Sequence, residues 1–79
     1  MEMVKDKVER YREKAQIFLD EDIRAFIITE NGDWNYCDIV LVTDKYVYVE
    51  HFAGNRNGTK DRIFFIDILK FDEYKEGGK

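Results

Sequence analysis

Seventy-nine residues suffice for one compact unit, and a second domain with a cleft between the two is not expected, nor is a large enclosed active site. A formal net charge of −4, from 13 Lys plus Arg against 17 Asp plus Glu, argues against a general nucleic-acid binder or a protein held on anionic membranes. Six Phe, five Tyr and one Trp within 44% apolar residues are too many large side chains for a chain that stays unfolded, despite 38% charge.

Cys37 is the one cysteine, which excludes an intrachain disulfide, a thiolate zinc site and a CxxC redox pair. The residues from Met1 to Asp6 carry charge every few positions and lack the apolar run of a secretory signal. No later stretch approaches the roughly 20 apolar residues of a membrane span. The expectation is a cytoplasmic protein without stable membrane insertion. Asn57-Gly58-Thr59 has the form of a glycosylation acceptor, but without an export signal it reads as a turn.

The whole chain, 1–79, reads as a single small α+β domain: a helix over 3–19, then a sheet over 23–74. Val4, Val8, Tyr11, Ala15 and Phe18 recur at spacings of 4, 3, 4 and 3, the stripe of an amphipathic helix that covers a sheet. Asp20-Glu21-Asp22 stops it, with acid where the helix dipole prefers a cation. From Ile23 the period changes to two, placing Ala25 and Ile27 on one side and Arg24, Phe26 and Ile28 on the other. Asn31-Gly32 suits the two positive φ angles of a type I′ hairpin turn. Asp33 to Thr43 forms the second strand, and Thr43-Asp44-Lys45 turns into a third from Tyr46 to Phe52. Ala53 to Asp61 reads as a flexible, locally basic loop, and Arg62 to Ile66 as a fourth strand. Asp67 to Tyr74 fits either a fifth strand or one helical turn, and 75–79 a frayed tail. The architecture expected is an N-terminal helix packed on a four- to five-stranded antiparallel meander. Net charge by segment is +1 over 1–16, −6 over 17–50 and +1 over 51–79.

No catalytic, cofactor or metal motif rises above background. His51, the lone histidine, falls on the side of Val47 and Val49 without a second ligand at metal-binding spacing, so it reads as a buried or rim imidazole. Cys37 alternates with Ile39 and Leu41 and reads as a small core residue. Asp33, Asp38, Asp44 and Glu50 lack an EF-hand rhythm and read as solvated strand ends. Gly54 to Lys60 lacks the Walker spacing. It leaves Arg56, Lys60 and Arg62 as candidate contacts to a phosphate or an acidic partner. Trp34, Tyr36, Tyr46 and Tyr48 share one side of two adjacent strands. They are expected to form one aromatic patch, either a partner-binding surface opposite the helix or the core itself. The −6 of this segment argues against stacking on single-stranded nucleic acid.

Residues 37–71 resemble the middle of the bacterial pleckstrin-homology-like and GRAM-like families. The likeness lies in a strand ending in Leu41-Val42-Thr43-Asp44-Lys45, the strand Tyr46-Val47-Tyr48-Val49, and the later Ile63-Phe64-Phe65-Ile66-Asp67-Ile68. The last hairpin and closing helix of those families have no counterpart here. The resemblance implies a partial barrel and an interaction module that binds protein partners or anionic headgroups, often self-associates, and has no catalytic residues to transfer. Headgroup contacts would fall to Arg56, Lys60 and Arg62.

The functional expectation is a non-enzymatic interaction or assembly module, without cofactor, that binds a protein partner through a sheet face or edge. A homo-dimer or higher oligomer is the favoured partner, because an unshielded sheet edge invites pairing, and nucleic acid is not expected on the charge already given. Alternatives are an acidic inhibitor that mimics nucleic acid, motivated by the −6 over 17–50, and headgroup binding.

Overall fold

The computed structural model describes the backbone of residues 2–75 and the side chains of 6–75. Val4 of the helical stripe and the tail over 76–79 lie outside the described side chains. The molecule is α+β: helix α1 (Glu2–Asp20) precedes strands β1 (Arg24–Thr29), β2 (Trp34–Val42), β3 (Tyr46–His51), β4 (Lys60–Phe64) and β5 (Ile68–Glu73). All neighbours pair antiparallel, in the order β4-β3-β2-β1-β5.

The helix ends in a backbone motif rather than a side-chain cap. Ile23 N–H donates to the Phe18 carbonyl at 2.8 Å and Asp22 N–H to the Leu19 carbonyl at 3.3 Å, with Asp22 in the left-handed region at φ 59°. This is the Schellman closure, with aspartate where glycine is usual. It returns Ile23 onto the core beside Phe18 and starts β1 directly.

The β1–β2 connection corrects the expected type I′ turn. Gly32, at φ 88°, is the turn residue with positive φ, and Asn31 is not. Gly32 N–H donates to the Thr29 carbonyl at 2.9 Å and Thr29 N–H to the Asp33 carbonyl at 3.1 Å, so three residues make the loop and the glycine forms a bulge. Asn31 works through its side chain, whose Oδ1 accepts from the Thr29 hydroxyl and from Asp33 N–H. The next turn follows Thr43: its N–H meets the Tyr46 carbonyl at 2.9 Å, and its hydroxyl oxygen accepts from Tyr46 N–H at 3.0 Å. The basic loop is hydrogen-bonded rather than loose. It holds a 3₁₀ turn over Gly54–Arg56 and is closed by Gly58 N–H to the His51 carbonyl (2.8 Å) and His51 N–H to the Thr59 carbonyl (2.9 Å).

A second 3₁₀ turn, Phe65–Asp67, resolves the ambiguous C-terminal segment. It links β4 and β5, which lie at opposite edges of the sheet. Phe64 and Ile68 are four residue steps apart and so at most about 14 Å from each other. That is less than the width of a flat five-stranded sheet, so the sheet must curl until its two edges approach at that end. It stays open, because β4 and β5 do not pair. Phe65 N–H to the Lys45 carbonyl (3.0 Å) and Glu30 N–H to the Asp67 carbonyl (2.8 Å) pin the crossing, and the Phe65 ring is buried in the core.

Inside the curl Ala25, Ile27, Cys37, Ile39, Val47, Val49, Ile63, Phe65, Ile68 and Phe71 face α1, which adds Ala15 and Phe18. Tyr11 stacks on Phe71 at 5.9 Å and Phe18 meets the same ring edge-on at 5.1 Å. The helix therefore covers the Val47 and Val49 side, and the face holding Trp34 and Tyr36 lies outside. Leu41 departs from the expected alternation. Ile39 pairs with Val49 but Leu41 pairs with Tyr48, so Val40 is an extra residue and Leu41 is turned to the outer face at 52% exposure. A second irregularity lies in β5. Ile28 pairs with Lys70 and Thr29 with Ile68, leaving Leu69 without a register partner and 58% exposed.

Candidate interaction surfaces

The outer face carries all four aromatic candidates, but in two groups rather than one patch. Phe26 stacks on Tyr36 (5.3 Å, 16°) and meets Trp34 edge-on at 5.4 Å, while Tyr74 sits between Tyr36 (5.7 Å) and Phe52 (5.1 Å). The Arg24 guanidinium lies 4.2 Å from the Phe52 ring centroid. Trp34, at the rim of this group, is 59% exposed. Tyr46 and Tyr48 lie toward the other end of the face, where Tyr46 packs on Phe64 at 5.3 Å and Tyr48 faces Leu41 and Arg62 across the strands.

A charged row separates the groups. Arg24 pairs in register with Asp38, Asp38 with Glu50, and Glu50 with Lys60, and Arg24 Nε lies 3.3 Å from Asp38 Oδ1. The separation follows from antiparallel pairing: Trp34 opens β2, whereas Tyr46 opens β3 and lies beside the end of β2. Tyr74 does not stand out in the sequence as a member of this surface. Phe26 and Phe52 are legible in the alternation of their strands, but Tyr74 joins only because β5 returns beside β1.

The three basic candidates also divide. Arg56 lies 4.0 Å from Asp33 and 3.8 Å from Asp61, at a cleft between the β1–β2 turn and β4. Lys60 and Arg62 are set opposite Glu50 and Tyr48 on the outer face, with the Arg62 guanidinium 5.7 Å from the Tyr46 ring centroid. Two carboxylates of the acidic segment are paired with cations: Asp33 meets Arg56 at 4.0 Å and Asp38 meets Arg24 at 3.3 Å.

Cys37 and His51 face each other in register on the inner side of β2 and β3. Burial, with smaller contributions from Asp38 and Asp61, pushes the Cys37 thiol up to about 12, so it is protonated and packed at neutral pH. Burial also holds the His51 imidazole below its ordinary value, aided by the Arg56 guanidinium and opposed by Asp61. Among the described residues no three His, Cys, Asp or Glu are grouped to hold a metal ion, and no helix is long and apolar enough to cross a membrane.

The two outer strands form a further surface. β4 and β5 each have one sheet neighbour, and the exposed apolar residues Phe64, Ile66 and Leu69 lie on or between them. The helix touches this region through Lys7 Nζ, which donates to the Ile66 carbonyl at 2.9 Å, and through the Tyr11 hydroxyl, which donates to the Leu69 carbonyl at 3.4 Å. No protein-family model matches the chain, and no curated protein matches it as a relative.

Proposed function

We propose that this protein is a non-enzymatic assembly module whose partner is a further copy of itself, joined through the sheet edges. The observation that supports this reading most directly is the pair of unpaired edge strands, β4 and β5, with Phe64, Ile66 and Leu69 exposed along and between them. Unpaired strand edges template pairing with another chain, and exposed apolar groups beside them add area to such a contact. The edges are complementary rather than alike: β4 carries Lys60, Asp61 and Arg62 for a net +1, and β5 carries Lys70, Asp72 and Glu73 for a net −1. Complementary edges favour head-to-tail association of β4 on β5 over two-fold pairing of like edges. A self-associating interaction module is also what kinship with the pleckstrin-homology-like families would imply.

Light scattering coupled to gel filtration tests this. The expected result is a mass several times that of one chain, falling toward one chain in the double variant Phe64→Lys, Leu69→Lys with the far-ultraviolet circular dichroism spectrum unchanged. A monomeric mass at about 100 μM, well above the dissociation constants of ordinary stable interfaces, rejects self-assembly.

A further inference from the structure

His51 is 2% exposed, and its Nε2 is a buried side-chain nitrogen with no hydrogen-bond partner. Such groups are rare because an unmet buried polar atom costs free energy, so a nearby group that meets it in another state is a reason for its persistence. The nearest carboxylate oxygen is Asp61 Oδ2, at 3.9 Å. The same oxygen lies 3.8 Å from Arg56 Nη1. The other oxygen of Asp61, Oδ1, accepts Arg62 N–H at 2.8 Å, and Oδ2 is the one turned toward both nitrogens. Two nitrogen groups on different segments, the His51 ring and the Arg56 guanidinium, therefore converge on one oxygen.

We propose that Asp61 Oδ2 is a proton-controlled exchange point, held by Arg56 when His51 is neutral and taken by His51 when the imidazole is protonated. The charges acting on His51 are those of Arg56 in the β3–β4 loop and Asp61 on β4. Cys37 faces it from β2 as a protonated thiol, and Asp33 of the β1–β2 turn lies beyond Arg56. An imidazolium beneath the loop attracts the Asp61 carboxylate and repels the Arg56 guanidinium. Arg56 is the cation that reaches both Asp33 and Asp61 across a cleft of about 380 Å³, so losing Asp61 weakens the attachment of the loop to β4. The loop can respond because Gly54 and Gly58, at φ 80° and 87°, flank Arg56. The exchange is an acid-sensitive clasp between the loop and the body of the sheet, independent of whether the chain assembles.

Amide hydrogen exchange over residues 54–59, corrected for intrinsic chemistry and compared at about pH 7.5 and about pH 5, tests the clasp alongside an NMR titration of the His51 ring. In the wild type, protection of the loop should fall about two- to fivefold as His51 gains its proton, the size of one half-exposed ion pair. In His51→Gln the protection should not depend on pH. In Asp61→Asn it should be low at both pH values, and this variant supplies the control should His51→Gln fail to fold. Protection that stays constant while His51 titrates overturns the proposal. So does a pH effect that survives in His51→Gln or Asp61→Asn, or an imidazole that stays neutral down to acid unfolding.

Discussion

Ile39 and Leu41, two residues apart on β2, lie on opposite faces of the sheet, because Val40 is inserted between the pairs Ile39–Val49 and Leu41–Tyr48. Regular alternation would place both in the core. The bulge leaves Ile39 buried and Leu41 on the outer face. Ile39→Ala is expected to cost about 2–4 kcal/mol, and Leu41→Ala no more than about 0.5 kcal/mol. Urea unfolding of both variants at one fixed protein concentration measures the contrast, and equal costs would contradict the bulge.

Asp22 occupies the left-handed position of the helix closure at φ 59°. An L-residue is strained there, and its carboxylate sits at the negative end of the helix dipole. Asp22→Gly relieves both, against the added freedom of glycine in the unfolded chain. A net stabilisation of about 0.5–1 kcal/mol is expected, seen as a rise in Tm. A lower Tm would show that Asp22 has a favourable interaction outweighing its strain.

The Cys37 thiol, fully buried and raised to about 12, should react with a thiol reagent only through unfolding. At neutral pH the labelling rate should rise with denaturant in parallel with the unfolded fraction. Fast labelling of the native protein would mean that β2 opens locally.

His51 makes stability depend on pH in a defined direction. Its folded-state value is held below the ordinary 6.5, so between the two values the unfolded chain binds more protons than the folded one. The contribution is complete above about pH 6.5 and declines as pH falls toward the folded-state value, with a slope of at most about 1.4 kcal/mol per pH unit. The difference in unfolding free energy between wild type and His51→Gln should therefore shrink on acidification below about pH 6.5. A difference that grows on acidification would reverse the assigned direction.

The outer-face alternation of Trp34, Tyr36, Tyr46 and Tyr48 is legible in the sequence, because strand period is a local property. That the first two and the last two occupy different regions of that face is not. Their separation depends on how far β3 is offset along β2, and the offset is set by turn geometry and burial across strands. Arg56, Lys60 and Arg62 are close in sequence, yet the 3₁₀ turn and Gly58 direct Arg56 to the cleft and leave the other two on the outer face.

The amino-acid order alone determined the leading helix, the change to period two at Ile23, the sites of the turns and the placing of Val47 and Val49 on the side opposite Tyr46 and Tyr48. Each depends on side-chain pattern and backbone preference within a few residues. Only the tertiary structure decided which face α1 covers, that β5 returns to β1, and that Val40 and Leu69 interrupt their registers. It also brought His51, Asp61 and Arg56 around one oxygen. These features arise when a curled sheet closes over a shared core, where pairing and burial between distant segments outweigh the local pattern.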